Sequence, residues 1–560
     1  MSGFHQAAPH LSNTYEADAA LRETLERLLP ADLHGRLLPE WQELGDAAAG
    51  SLLRLAQQAE AEPPRHVPYD AWGRRVDEVR VSEAWRALHH EAARRGLTAI
   101  PYEGALGPWA RVHQFALLLL YGPSSAIASC PLAMTDGAAR TLLEHDKALT
   151  ERAVPHLTSR DPATFWTSGQ WMTERSGGSD VGGTETVARR GEDRHWRLYG
   201  NKWFTSAVTS EIALTLARPE GAAGGSAGLS LFYLEQRLAD GSLNGIRVDR
   251  LKDKLGTRAL PTAELTLDGC LAQPVGELGG GVKKISPLLN ITRLHNAISA
   301  CGMMARALQL LRDYAGRRRV FGEALARKPL HRATLAALHV EYEAALALTL
   351  DCARLLGRQE AREATAEERS ALRLQTPLAK LLTAKQAVAV TSEALEGFGG
   401  AGYVEDTGLP VWLRDAQVLP IWEGTTNVLS LDVLRAAQRD GAWAGWKTAF
   451  ERRLQPLARG TLSADAAELG ARLAALATSL PRLLQEGPLA EASARALALH
   501  WAGLSAALPL LEQAAWALER GRGERAALVA GRWIAERLSP LPHFRGERLA
   551  EDARLSGLDE

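Results

Sequence analysis

The feature that most limits what this chain can become is a change of period near residue 165. From there to about residue 278 it runs in short alternating stretches between glycines and prolines, among them His195-Trp196-Arg197-Leu198-Tyr199, Ile212-Ala213-Leu214-Thr215-Leu216 and Leu229-Ser230-Leu231-Phe232-Tyr233-Leu234. Period-two strands with close turns and no helical stretch among them predict a small antiparallel barrel or sandwich. On both sides the apolar spacing is helical, with breaks at Glu62-Pro63-Pro64 and near residues 104–108. The expected fold is therefore mostly α with a central antiparallel β domain. Its segments are a helical domain at 1–164, a β barrel at 165–278, a four-helix bundle at 279–435 and an extra helical region at 436–560.

A chain of 560 residues is too long for one core, and 46% hydrophobic with 23% charged residues suits a globular protein. A formal net charge of -1 leaves any nucleic-acid or acidic-membrane partner to a local patch. The scattered cysteines Cys130, Cys270, Cys301 and Cys352 read as free thiols in a reducing compartment, and His89-His90-Glu91 lacks metal-ligand spacing, so no metal site is expected. Residues 1–6 carry no basic start before an apolar core, and residues 115–121, the longest strongly apolar run, are too short to cross a bilayer. A cytoplasmic protein without membrane contact is the expectation.

Glu423 is the candidate for chemistry, set between Trp422 and Gly424. A carboxylate beside an indole, partly out of water, has its charged form disfavoured, as a base that removes a proton from carbon needs. Gly424 permits a tight turn, and Thr425, Thr426 and Asn427 are N-capping residue types before a helix begun by Val428 and Leu429. A glutamate there also suits a helix first turn for dipole reasons alone. The run 397–402 satisfies the dinucleotide fingerprint literally, yet a helical stretch precedes it where a strand is required, so a Rossmann fold is not expected.

Taken together, Met172 to Asp180 (Met-Thr-Glu-Arg-Ser-Gly-Gly-Ser-Asp), Lys202-Trp203-Phe204-Thr205-Ser206, Arg318-Arg319-Val320-Phe321-Gly322, the glycine cluster ending at Tyr403, and Arg414-Asp415 leading to Glu423-Gly424-Thr425 resemble the acyl-CoA dehydrogenase flavoprotein superfamily. The likeness spans roughly residues 70–435. Four details are similar to its AidB branch, the bacterial adaptive-response flavoproteins that bind DNA and protect it from alkylation. These are Ser-Gly-Gly-Ser-Asp, Ile421-Trp422-Glu423, the run 250–256 and the C-terminal helical region.

The resemblance implies FAD, an acyl-CoA-like substrate, and α,β-dehydrogenation: a base takes the α-proton while the β-hydrogen passes as hydride to flavin N5. It implies a thioester carbonyl polarised by the flavin ribityl chain and the backbone N–H of the base. Glu423 takes the base position; the other position some relatives use, residues 290–294, holds no acid here. For the cofactor it implies Met172, Thr173, Gly177, Gly178, Ser179, Phe204, Thr205, Ser206, Phe321, Glu396, Gly399, Gly400, Trp422, Gly424, Thr425 and Asn427, with Arg318 reaching the FAD of a neighbouring subunit in a homotetramer. Glu396 stands where ordinary members carry glutamine and so lacks the amide's donors. For double-stranded DNA the candidates are Arg520, Arg522, Arg525, Arg532 and Arg537. Residues 436–560 hold 16 basic and 15 acidic residues, however, so a solvated, internally paired helix face is an equal reading. An ordinary metabolic dehydrogenase for short or branched acyl-CoA, with no DNA role, is the alternative.

Overall fold

Glu83–Arg94, Ser129–His145 and Lys147–Leu157 form helices as their spacing predicts, but β1 (Arg65–Tyr69) and β2 (Arg75–Arg80) interrupt the N-terminal helical stretch as an antiparallel hairpin. Its turn is tied by Asp70, whose carboxylate accepts from the Trp72 and Arg74 amides. Its strands are too polar to show a clean period two, which is why the sequence reads otherwise. The structure, a computed structural model, describes residues 6–439, 441–542 and 544–558. Within these, the chain divides into two units. One comprises Glu43–Leu106 and Leu117–His295; the other falls within Met1–Gln42, Gly107–Ala116 and Asn296–Glu560.

The first unit holds the sheet: β3 (Ser168–Trp171), β4 (Val187–Arg190), β5 (Trp196–Ser206), β6 (Ile212–Pro219), β7 (Ser230–Glu235), β8 (Ile246–Leu251) and β9 (Thr262–Pro274). The order is β3-β6-β4-β5-β9-β7, and β7 pairs again with β6, so the ladder closes on itself as a barrel; β8 lies on β9. Most pairs are antiparallel as expected, but β6 runs parallel to both β3 and β4. A long connection, residues 172–186, lets β4 follow β3 in the same direction. Along β6 alternate residues serve two cores. Ala213 and Ala217 face the barrel interior with Trp171, Leu198, Phe232 and Leu265, while Ile212, Leu214 and Leu216 pack on Leu142, Leu149 and Leu157 of the helices.

The second unit is helical. Pro329–Glu360, Ala366–Gly397, Thr426–Gln438 and the part of Ser286–Arg317 from Asn296 onward carry the bundle, with a Thr365–Glu368 capping box opening the third of its long helices. Ala442–Leu454, Ser463–Leu483, Gly487–Glu519 and Arg525–Arg532 extend it. Trp443, Trp446 and Trp501 interlock there, with ring centroids 5.1 to 5.7 Å apart. Arg453 ties the extension to the bundle, donating to Glu512 at 2.7 Å and to Asp351 at 2.8 Å. Gly487–Glu519 is long and apolar enough to cross a bilayer, contrary to the short apolar run expected, but its most apolar window is 83% buried in the protein.

Candidate flavin and catalytic site

Within the helical unit, helix Pro410–Ala416 ends in turns that lead to Glu423, and Thr425 then caps helix Thr426–Gln438 by accepting from the Val428 amide at 3.4 Å. Glu423 is half-buried, with a left-handed φ of 56°, and Gly424 follows at φ 99°. A glutamate in that region is strained, and such strain persists only where neighbours fix the backbone. Here they do so on both sides. The Trp422 indole N–H donates to Asn296 Oδ1, and fully buried Lys380 donates to the Gly424 carbonyl at 2.6 Å. Thr425 therefore spends its hydroxyl as a cap, and exposed Asn427 accepts from Arg495 at 3.3 Å, so the side chains of these two expected cofactor residues are already engaged.

In the strand unit the two motif segments are fastened together. The Trp203 amide donates to the Thr173 carbonyl at 2.9 Å. Lys202 Nζ lies 2.7 Å from Glu174 and donates also to the Leu216 carbonyl. Burial opposes ionisation of Glu174, but the Lys202 ammonium, the Thr186 hydroxyl and the Glu185 amide outweigh it and hold the carboxyl below its usual range. Between Lys202 and Thr205 the pairing of β5 with β9 slips by one residue. This bulge turns both Lys202 and Thr205 inward and leaves Phe204 on the outside, 53% exposed. Thr205 is buried, and its hydroxyl donates to the Ala263 carbonyl at 2.6 Å. Ser206 stays half-buried beside Thr262, with hydroxyl oxygens 3.3 Å apart.

Residues 175–180 form an exposed loop, in which Gly177 has φ 135° and open space where a Cβ would stand. At Gly178 a Cβ would fall 2.4 Å from the Thr173 hydroxyl oxygen, so only glycine lets the loop fold back this closely onto Thr173. Ser179 is exposed beside them, whereas the Met172 side chain packs into the core of β6 and the helices.

At one end of the helical unit, Ser286–Arg317 and Ala366–Gly397 stop side by side, with the Tyr314 and Phe398 rings 5.1 Å apart. Half-buried Arg318 leads into a two-residue turn that presents Phe321, 97% exposed, while Glu396 lies exposed in the last turn of the second helix and Gly399 and Gly400 lie exposed just beyond it.

The chain matches the acyl-CoA dehydrogenase middle domain family over residues 169–270 and the C-terminal domain family over 279–438. It also matches the adaptive response protein AidB N-terminal domain family over 6–162. Acyl-CoA dehydrogenase family member 11 of Caenorhabditis elegans is 50% identical over 443 residues, 77% of this chain and 72% of that protein. The chain belongs to the acyl-CoA dehydrogenase family. The putative acyl-CoA dehydrogenase AidB of Escherichia coli (strain K12) is 35% identical over 446 residues, 78% of this chain and 80% of that protein. The crystal structure of C. elegans ACDH-11 in complex with C11-CoA has a TM-score of 0.95 at 42% identity, covering 99% of this chain and 97% of that one.

As a member of this family the chain is an FAD-dependent oxidoreductase. Its strand unit fits the cofactor: an exposed aromatic face at Phe204, a neighbouring hydroxyl at Ser206, and open backbone at Gly177 and Gly178. Sequence reasoning missed Asn296 and Lys380, the two side chains that hold the Glu423 loop. Neither stood out in the sequence, since each lies among other buried polar residues of its helix, His295 beside Asn296 and Thr376 and Thr383 beside Lys380.

The arginines proposed for DNA do not form a free stripe. Arg522 pairs with Glu26, Arg525 with Glu343 and Arg537 with Glu341, leaving Arg520 and Arg532 as exposed members with no ion pair among the described residues.

Proposed function

We propose that this family member oxidises an acyl-CoA thioester, with Glu423 as the base that takes the α-proton. The observation that carries this reading is the strained Glu423 backbone, held from both sides by Trp422–Asn296 and Lys380–Gly424. A loop carrying an ordinary surface glutamate has no use for such a clamp. When bound, FAD accepts the β-hydrogen as hydride. The chain's own contribution is to hold one carboxylate oxygen at a fixed place, so that proton removal becomes an intramolecular step. Thr173, Ser179, Phe204, Ser206 and the Gly177–Gly178 backbone bind the flavin, and Arg318 with Phe321 reaches the flavin of a second subunit, a role supported by the full exposure of that ring.

An acyl chain of medium length is the favoured substrate because the C. elegans relative was crystallised with C11-CoA. The metabolic role is preferred to DNA protection because three of the five C-terminal arginines are neutralised within the chain, and phosphate contacts would supply most of the affinity for a duplex. Mixing the FAD-loaded protein anaerobically with acyl-CoAs of graded length decides the matter. Flavin reduction that peaks at medium chains supports the proposal. Reduction by none of them, with salt-sensitive retardation of duplex DNA, overturns it.

A further inference from the structure

Lys252 lies in the segment that leaves β8, and its ammonium stands over two aromatic rings at once, 3.6 Å from the centroid of Trp203 and 4.5 Å from that of Phe204. Its position is built rather than adventitious. The side chain is only 10% exposed, its backbone amide donates to the Thr262 carbonyl at 2.8 Å, and Glu264 holds the ammonium at 2.7 Å. Glu264 is shared, because Arg250 reaches the same carboxylate oxygen at 2.7 Å. Two cations on one carboxylate leave one positive charge over. Arg175 adds another, its guanidinium carbon 5.4 Å from the Trp203 ring.

We propose that Lys252 is a positioning residue that sets the electron affinity of the bound flavin, acting through the Trp203–Phe204 pair. The inference rests on the reading that the exposed face of Phe204 packs on the flavin. Reduction of an isoalloxazine adds two electrons, and near neutral pH the reduced ring keeps a negative charge. Lys252 makes and breaks no bond. Its fixed charge, held one aromatic layer away and largely out of water, favours the more negative state of the cofactor. A unit charge roughly 8 Å away at an effective dielectric of about 20 is enough to change the ratio of reduced to oxidised flavin on the order of tenfold.

The test is a spectroelectrochemical titration of the FAD-loaded full chain against a reference dye, with flavin content measured on each sample. In Lys252→Gln the reduced-to-oxidised ratio at a fixed potential should fall about tenfold, equivalent to about 30 mV for a two-electron couple. Lys252→Arg should stay near wild type. Should Lys252→Gln fail to fold, Arg250→Gln decides: it leaves Lys252 neutralised by Glu264 and should shift the ratio the same way without touching either ring. Fully flavinated Lys252→Gln, or Arg250→Gln in its place, titrating as wild type overturns the role of Lys252. Wild-type protein that neither carries nor takes up FAD overturns the flavin site itself.

Discussion

Lys202 and Glu174 face each other at 2.7 Å inside the strand unit, both side chains out of water, and this pair fastens the Met172–Asp180 segment to β5. A buried ion pair is costly to break from one side, because the survivor keeps its charge without a partner. Lys202→Met should therefore lose about 3–5 kcal/mol of stability and lower the flavin content of the purified protein. Chemical denaturation and the ratio of visible to ultraviolet absorbance read the two effects.

The same pair gives a pH dependence with a definite sign. The Glu174 carboxyl is held below its ordinary value of 4.5, so its contribution to stability is complete above that value and is lost as pH falls through the lower folded value. The difference in urea midpoint between wild type and Glu174→Gln should be constant between pH 6 and 8 and should shrink well below pH 4.5.

The positive φ of Glu423 separates strain from chemistry. Glycine accepts φ 56° freely and alanine does not, so Glu423→Gly should be more stable than Glu423→Ala by about 1 kcal/mol, although both lack the carboxylate. Thermal midpoints of the two variants, compared with each other rather than with wild type, isolate the backbone effect.

The turn at Glu423 was legible in the sequence because its conformation is set locally. Glu423 between an indole and a glycine, and Thr425 as a helix cap, are decided by neighbours in the chain. The strands of residues 165–278 likewise announce themselves by alternation. The parallel pairing of β6 was not legible, since strand direction is set by the course of the 172–186 connection. Nor was the bulge that turns Thr205 inward and Phe204 outward, because one extra residue in a ladder leaves no compositional mark. Asn296 and Lys380 meet the Glu423 loop across 126 and 44 positions of chain, a distance no local pattern spans.

Trp422 tests the clamp itself. Trp422→Phe keeps an aromatic ring but removes the indole donor, leaving buried Asn296 short of a partner at a cost of about 1–3 kcal/mol. Flavin content should be unchanged while reduction by acyl-CoA slows by roughly tenfold or more, a loss expected when a base is displaced slightly from its working position.

Phe321, almost wholly exposed, should behave in the opposite way. Phe321→Ala should change stability by no more than about 0.5 kcal/mol, as surface truncations do, yet speed the loss of FAD if that ring meets a second subunit's flavin. Flavin release on dilution, followed by fluorescence, reports it.

Anaerobic titration of wild type and Glu423→Gln with a medium-chain acyl-CoA, followed in the visible flavin bands, addresses the central claim most directly. Wild type should bleach, and Glu423→Gln, loaded with FAD to the same extent, should bleach at least about 10²- to 10⁴-fold more slowly, the usual share of a general base. A Glu423→Gln protein that bleaches at the wild-type rate would contradict the account.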